Sequence, residues 1–139
     1  MYNNILVALD HTKADDVLLP HITQLAALTK ARLLLVHVAD GFAARNYDQL
    51  KLVESEEMKA DRQYLEATAA KLREATGLTI DAKLALGDPP HEILKLAEEG
   101  HCDLIAMTTH GHRLIGDILF GSTTEKVVRK APCPVLVVR

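Results

Sequence analysis

Four short apolar runs set the terms for any fold this chain can adopt: Ile5 to Leu9, Leu33 to Val38, Leu104 to Met107 and Val135 to Val138. Side chains of a strand alternate between two faces, so an unbroken apolar run predicts a strand covered on both sides. A fifth segment, Leu78 to Leu86, alternates instead, with Leu78, Ile80, Ala82, Leu84 and Leu86 on one face, which suits an edge strand.

Helical patterns fill the gaps. Leu18, Ile22, Leu25 and Leu28 recur at three or four and predict a helix over 16–30, with a late start or a kink at Pro20. A longer helix is expected from about Leu50 to Thr76, with Met58, Leu65, Ala69 and Leu72 buried and Gly77 ending it. Asp88-Pro89 reads as N-cap and first helical residue of a helix that ends at Gly100. Ser122 to Lys130 is the last helix, stopped by Ala131-Pro132. Between the second strand and the long helix, Asp40 to Val53 has no period and reads as a loop. Strands alternating with helices predict an α/β fold with a parallel sheet wound on both faces.

With 139 residues the chain is expected to form one domain, 1–139, large enough to bury roughly 68% of its unfolded surface without staples. A net charge of -3 gives no basic footprint for nucleic acid. Aromatics at 4% and no Trp offer no base-stacking platform. No apolar run reaches the ~18 residues of a membrane span, and no signal peptide is visible, so a cytoplasmic location with Cys102 and Cys133 reduced is expected. The two cysteines have no metal-type spacing and read as small apolar fillers.

In open α/β sheets ligands sit beyond the carboxyl ends of the strands, which directs attention to Asp10-His11-Thr12, Val38-Ala39-Asp40, Gly87-Asp88 and Thr108-Thr109-His110-Gly111. The most informative segment runs from Met107 to Glu125, a strand end, a loop with three glycines and a helix start. Ser122 followed by Glu125 reads as a capping box, placing Gly121-Ser122 where free N–H groups and the helix dipole favour an anion. Gly111 and Gly121 would let backbone approach a phosphate; a helix cap with two turning glycines explains the same residues without a ligand.

Taken together, these segments resemble the universal stress proteins over nearly the whole chain. Asn4 to Asp10 looks like that family's first strand with its acidic end, and Leu35-Val36-His37-Val38 like its second. Gly111, nine residues, then Gly121-Ser122 matches the distal part of its nucleotide motif, and Glu125 to Val128 and Ala131 to Val138 match its closing helix and strand. The resemblance implies a five-stranded parallel sheet in the order 3-2-1-4-5, and ATP, ADP or AMP as ligand, with or without Mg²⁺. It implies that Ala8 and Asp10 flank the nucleotide, that Val38 meets the adenine, and that Met107, Thr108, Gly111, Gly121, Ser122 and Thr123 hold ribose and phosphates. Asp10 suits a ribose hydroxyl or a phosphate-bound Mg²⁺, and equally a cap on the next helix. The motif's first Gly falls on Thr108, which is strained if φ is positive there and narrows the cleft if the ligand passes close.

Other chemistry finds little support. His110 and His112 form an H-x-H pair without a third ligand in sequence reach; His11 and His37 would have to come near in space, so no metal site is expected. Arg113 reads as a solvated loop charge more readily than a phosphate ligand. No Walker A sequence, no nucleophile elbow and no Cys or Ser with an evident His partner appears, so no catalytic residue and at most slow ATP turnover is expected. The expected role is a nucleotide-binding stress-response regulator. A non-nucleotide dimeric interaction module, its cleft empty or repurposed, is the alternative that Thr108 favours. Either way Val135 to Val138 would form a sheet edge guarded only by Arg139, and a homodimer through that edge is expected; the client protein stays open.

Overall fold

The computed structural model describes residues 1–39, 56–109 and 121–139. Strand β1 (Asn4–Ala8) lies in the middle of a five-stranded sheet, between β2 (Arg32–Ala39) and β4 (Leu104–Thr108), with β3 (Ile80–Leu86) and β5 (Val135–Val138) at the edges. The order is β3-β2-β1-β4-β5 and every pairing is parallel. Four helices connect the strands: α1 (Asp15–Thr29), α2 (Glu56–Thr76), α3 (Pro89–Glu99) and α4 (Ser122–Lys130).

The unbroken apolar runs are explained by two cores. Ile5 and Val7 of β1, Leu33 and Leu35 of β2, and Leu104 and Ala106 of β4 pack with Leu18, Ile22 and Ala26 of α1 and Leu65 and Ala69 of α2. The intervening residues Leu6, Val36, Ile105 and Met107 face the other way, onto Ile93 and Ala97 of α3 and Val127 of α4. Each central strand thus buries both faces, which only apolar side chains do without unpaired polar groups. On the β3 edge, Ile80 is buried while Asp81 and Lys83 are exposed, in keeping with the alternation, but Ala85, on the face of Asp81 and Lys83, is buried as well.

Several boundaries carry their expected chemistry. Asp88 caps α3, its carboxylate accepting from the His91 N–H at 3.2 Å, with Pro89 as the first helical residue. Gly77, at φ +71, closes α2, its N–H donating to the Arg73 carbonyl at 2.9 Å. Pro20 does not delay α1, which starts at Asp15 and runs through it. Pro20 and Asp16 are both exposed, so water can reach the Asp16 carbonyl that loses its donor. The helix stops at Thr29, one residue early, because Lys30 turns left-handed at φ 60. The expected loop Asp40 to Val53 and the first residues of the long helix, 50–55, lie outside the described residues.

The capping box is corrected. Gly121, extended at φ -69 and ψ 166, is the N-cap of α4, and its carbonyl accepts the Glu125 N–H at 3.0 Å, so Ser122 is already helical. Glu125 instead accepts from Arg129, one turn on, at 2.5 Å. The helix is anchored by Thr124, whose hydroxyl donates to the Thr108 carbonyl at 3.1 Å.

Candidate functional site

Chain order reverses between β1 and β4, and a cavity of about 510 Å³ opens there, beyond the carboxyl ends of the strands. Its size suits a small organic ligand. β1 and the turn after it supply Ala8, Leu9, Asp10 and His11; β2 supplies Val36 to Ala39; β4 supplies Met107 and Thr108. Glu57, Ala60 and Asp61 of α2 form one side wall, and Pro89 and Ile93 of α3 with Thr123 and Thr124 of α4 form the other.

Six of the nine expected site residues line this cavity: Ala8, Asp10, Val38, Met107, Thr108 and Thr123. Gly121 and Ser122 stand just outside the described lining, at the start of the helix that carries Thr123. Gly111 lies outside the described residues, as do His110, His112 and Arg113. Thr108 is unstrained: it ends β4, is 6% exposed, and is not among the residues with positive φ. A β-branched residue is at home there, so the departure from glycine asks nothing of the backbone. The helix that follows β1 is not capped by Asp10; the carboxylate that grips this turn is Asp15.

Asp15, at the first position of α1, is 1% exposed and accepts three hydrogen bonds. The N–H groups of Asp10 and His11 donate to it at 2.8 and 2.9 Å, and the Tyr64 hydroxyl at 2.6 Å. Burial, then the bond to the Asp15 carboxylate, pushes the Tyr64 phenol well above its usual range, so it is a donor at every physiological pH. His11 adopts a left-handed conformation, φ 59, with its ring stacked on Tyr64 at 4.1 Å. Its Nδ1 meets Asp61 Oδ1 at 2.5 Å. Asp61, one turn before Tyr64 on α2, also approaches His37 Nε2 at 3.4 Å, and His37 Nδ1 lies 3.0 Å from the Leu9 carbonyl.

No sequence motif marks this imidazole–carboxylate cluster. His11 and Asp61 are fifty positions apart, and no spacing rule links them. Its one trace in the sequence is that His11 follows the first apolar strand and His37 lies near the carboxyl end of the second. Among the described residues no group of three or more His, Cys, Asp or Glu is arranged to hold a metal ion. Nor is there a Lys or Arg among the described lining residues: the charged groups on the wall are Asp10, Glu57 and Asp61, with His11 and His37 beside them. No helix among the described residues is long and apolar enough to cross a membrane.

At the opposite end of the sheet, Cys102 and Cys133 are half-buried against the α3–α4 core. Burial, then the neighbouring Cys133, pushes the Cys102 thiol up to about 11, and burial also raises Cys133. Both are neutral thiols at pH 7, in line with a filling role.

The whole architecture has close counterparts. Universal stress protein MJ0577 of Methanocaldococcus jannaschii is 30% identical, covering 100% of this chain and 96% of its own. The structure of the universal stress protein UspA from Lactobacillus plantarum superposes with a TM-score of 0.81 at 26% identity, covering 99% and 98% of the two chains. That of the Archaeoglobus fulgidus universal stress protein in complex with dAMP superposes with a TM-score of 0.74 at 22% identity, over 99% and 98%. The family description "Universal stress protein family" matches residues 1–139, and with its sheet order, its two-sided core and its relatives the chain belongs to that family.

Proposed function

We propose that this protein is an adenine-nucleotide-binding regulator, holding ATP, ADP or AMP in the cavity beyond the carboxyl ends of its strands, with little or no turnover. The observation that carries this is the convergence of the cavity on the first turn of α4, where helical N–H groups lack intrahelical partners. An anion is stabilised at such a terminus without a cation beside it. Val38 and Met107 offer apolar contact for a base, and Ala8 leaves room for it. Asp10 accepts from ribose hydroxyls, and Gly121, Ser122 and Thr123 present backbone to the phosphates, with Thr108 beside them. A protein of this fold holds dAMP, so the architecture accommodates an adenine nucleotide.

Calorimetric titration tests the proposal. Wild-type protein should give saturable heat with at least one of ATP, ADP and AMP; no heat with any of them ends it. Gly121→Val, which sets a branched side chain beside the phosphates, should weaken binding about 100-fold, or about 2.7 kcal/mol, with an unchanged circular dichroism spectrum. Running the titration with and without Mg²⁺ tells whether the ion enters with the phosphates, and phosphate release over hours measures turnover.

A different role, a dimeric interaction module that does not bind nucleotide, is favoured by the acidic wall, which holds no described Lys or Arg. Both roles include a homodimer. β5 is an edge strand whose first three residues are only partly buried, and pairing with the same strand of a second copy would satisfy both edges. Val137→Pro removes a donor from that strand and should raise the dimer dissociation constant at least about tenfold. A wild-type monomer at micromolar concentration in sedimentation would rule the dimer out.

A further inference from the structure

His37 faces two acceptors at once. A backbone carbonyl only accepts, so the 3.0 Å contact to Leu9 requires the hydrogen on Nδ1. In the neutral ring Nε2 then presents a lone pair, and Asp61 Oδ2 stands 3.4 Å from it. Ionised, that carboxylate is an acceptor too. The contact becomes attractive only when one more proton is present, on Nε2 or on the carboxylate. Asp61 has no slack to turn away, because its other oxygen is held by His11 and the residue is 7% exposed.

The surroundings set the sign. The titratable groups that share the wall with His37 are Asp61, 3.4 Å from it, and Glu57 from α2, His11 from the turn after β1 with ring centroids 6.1 Å apart, and Asp10. Tyr64 and Asp15 stand behind His11. β3 places Leu84 beside His37 in register, α3 contributes Pro89 and Ile93, and α4 contributes Thr123 and Thr124, none of which titrates near neutrality. With three carboxylates on the wall and no described Lys or Arg, the two imidazoles are the only described lining groups that can bring positive charge to an anionic ligand near pH 7.

We infer that nucleotide binding at this site is linked to uptake of a proton shared between His37 and Asp61. The negative charge brought in by a phosphate favours the protonated pair, and by reciprocity the protonated pair favours the ligand. Affinity therefore falls as the pH rises through the imidazole range. This rests on the nucleotide proposal above.

The test is calorimetry with ADP in two buffers of different ionisation enthalpy, which counts the protons taken up. The phosphate of ADP titrates in the same range, so the informative quantity is the difference between wild type and His37→Gln. Wild type should take up more protons, and its affinity should fall roughly tenfold more than the variant's between about pH 6 and pH 8. Asp61→Asn supplies an amide N–H to the ring nitrogen, removes the need for the proton, and should match His37→Gln. Equal proton counts in all three proteins, with binding intact, overturn the linkage alone. Absence of any heat with ATP, ADP or AMP overturns the nucleotide proposal and the linkage with it. Nitrogen-15 shifts of the wild-type His37 ring give a readout that needs no variant. Both ring nitrogens should bear hydrogen in the ADP complex at about pH 7; a neutral ring, with Asp61 ionised, overturns the linkage.

Discussion

The two ends of β1 are held by the same device in opposite surroundings. At the amino end the Asp103 carboxylate accepts the N–H of Asn3 at 2.8 Å and that of Asn4 at 3.1 Å, near solvent. At the carboxyl end the Asp15 carboxylate accepts the N–H groups of Asp10 and His11, but it is buried and takes a third bond from Tyr64. Water can replace the first clamp when it is lost. It cannot easily reach the second, so each bond lost has a larger consequence there. The buried clamp also has a task the exposed one lacks: it fixes the turn that forms the floor of the cavity and holds His11 in its left-handed conformation.

That contrast can be broken by substitution. Asp15→Ala should have the largest effect, a loss of about 3 kcal/mol in chemical denaturation, because two N–H groups and a hydroxyl lose one buried acceptor together. Tyr64→Phe keeps the ring under His11 and removes one charge-assisted bond; a loss of about 1.5 kcal/mol is expected, and a neutral result would mean that the phenol adds nothing to the clamp. Asp103→Ala should cost only about 1 kcal/mol or less, since water takes over its donors. If Asp103→Ala proved as damaging as Asp15→Ala, burial would not be what separates the two ends.

The smallest effect belongs to the cysteines at the amino end. A thiol whose folded value is raised above its ordinary 9.0 favours folding while it stays protonated. For Cys102 that contribution is complete below about pH 9 and is lost as the pH rises through about 11. The wild-type protein should therefore lose slightly more stability than Cys102→Ser across that alkaline window, in parallel denaturation curves. At pH 8 alkylation of the folded protein should be slower than of the unfolded chain, because little thiolate is present.

How much of this was legible beforehand differs by element. The strands were, because an apolar run between helical patterns has few places to go except a covered parallel sheet. Asp88 and Gly77 were, because capping is decided by residues three or four apart. The start of α4 was not: Gly121 and Ser122 are both good N-caps, and the choice between them fell to the contact of Thr124 with β4. For a similar reason Pro20 does not postpone α1, since an exposed carbonyl tolerates a missing donor that a buried one would not.

The site divides in the same way. Asp10, Val38 and Thr108 could be placed at one cavity because each sits at or just beyond a strand's carboxyl end and a parallel sheet brings those ends together, whereas Ala8, Met107 and Thr123 came only with the family resemblance. The sequence by itself therefore determined a parallel sheet covered on both faces and the end at which a ligand could sit, since periodicity and local capping act over a few residues; the strand order came from the family resemblance. Only the tertiary structure decided that Asp61 would stand between His11 and His37, and that Asp15 and Tyr64 would lock the turn beneath them. Those contacts join β1, β2, α1 and α2 across up to fifty positions, and a hydrogen bond of 2.5 to 3.4 Å depends on how whole elements pack, which no local pattern encodes.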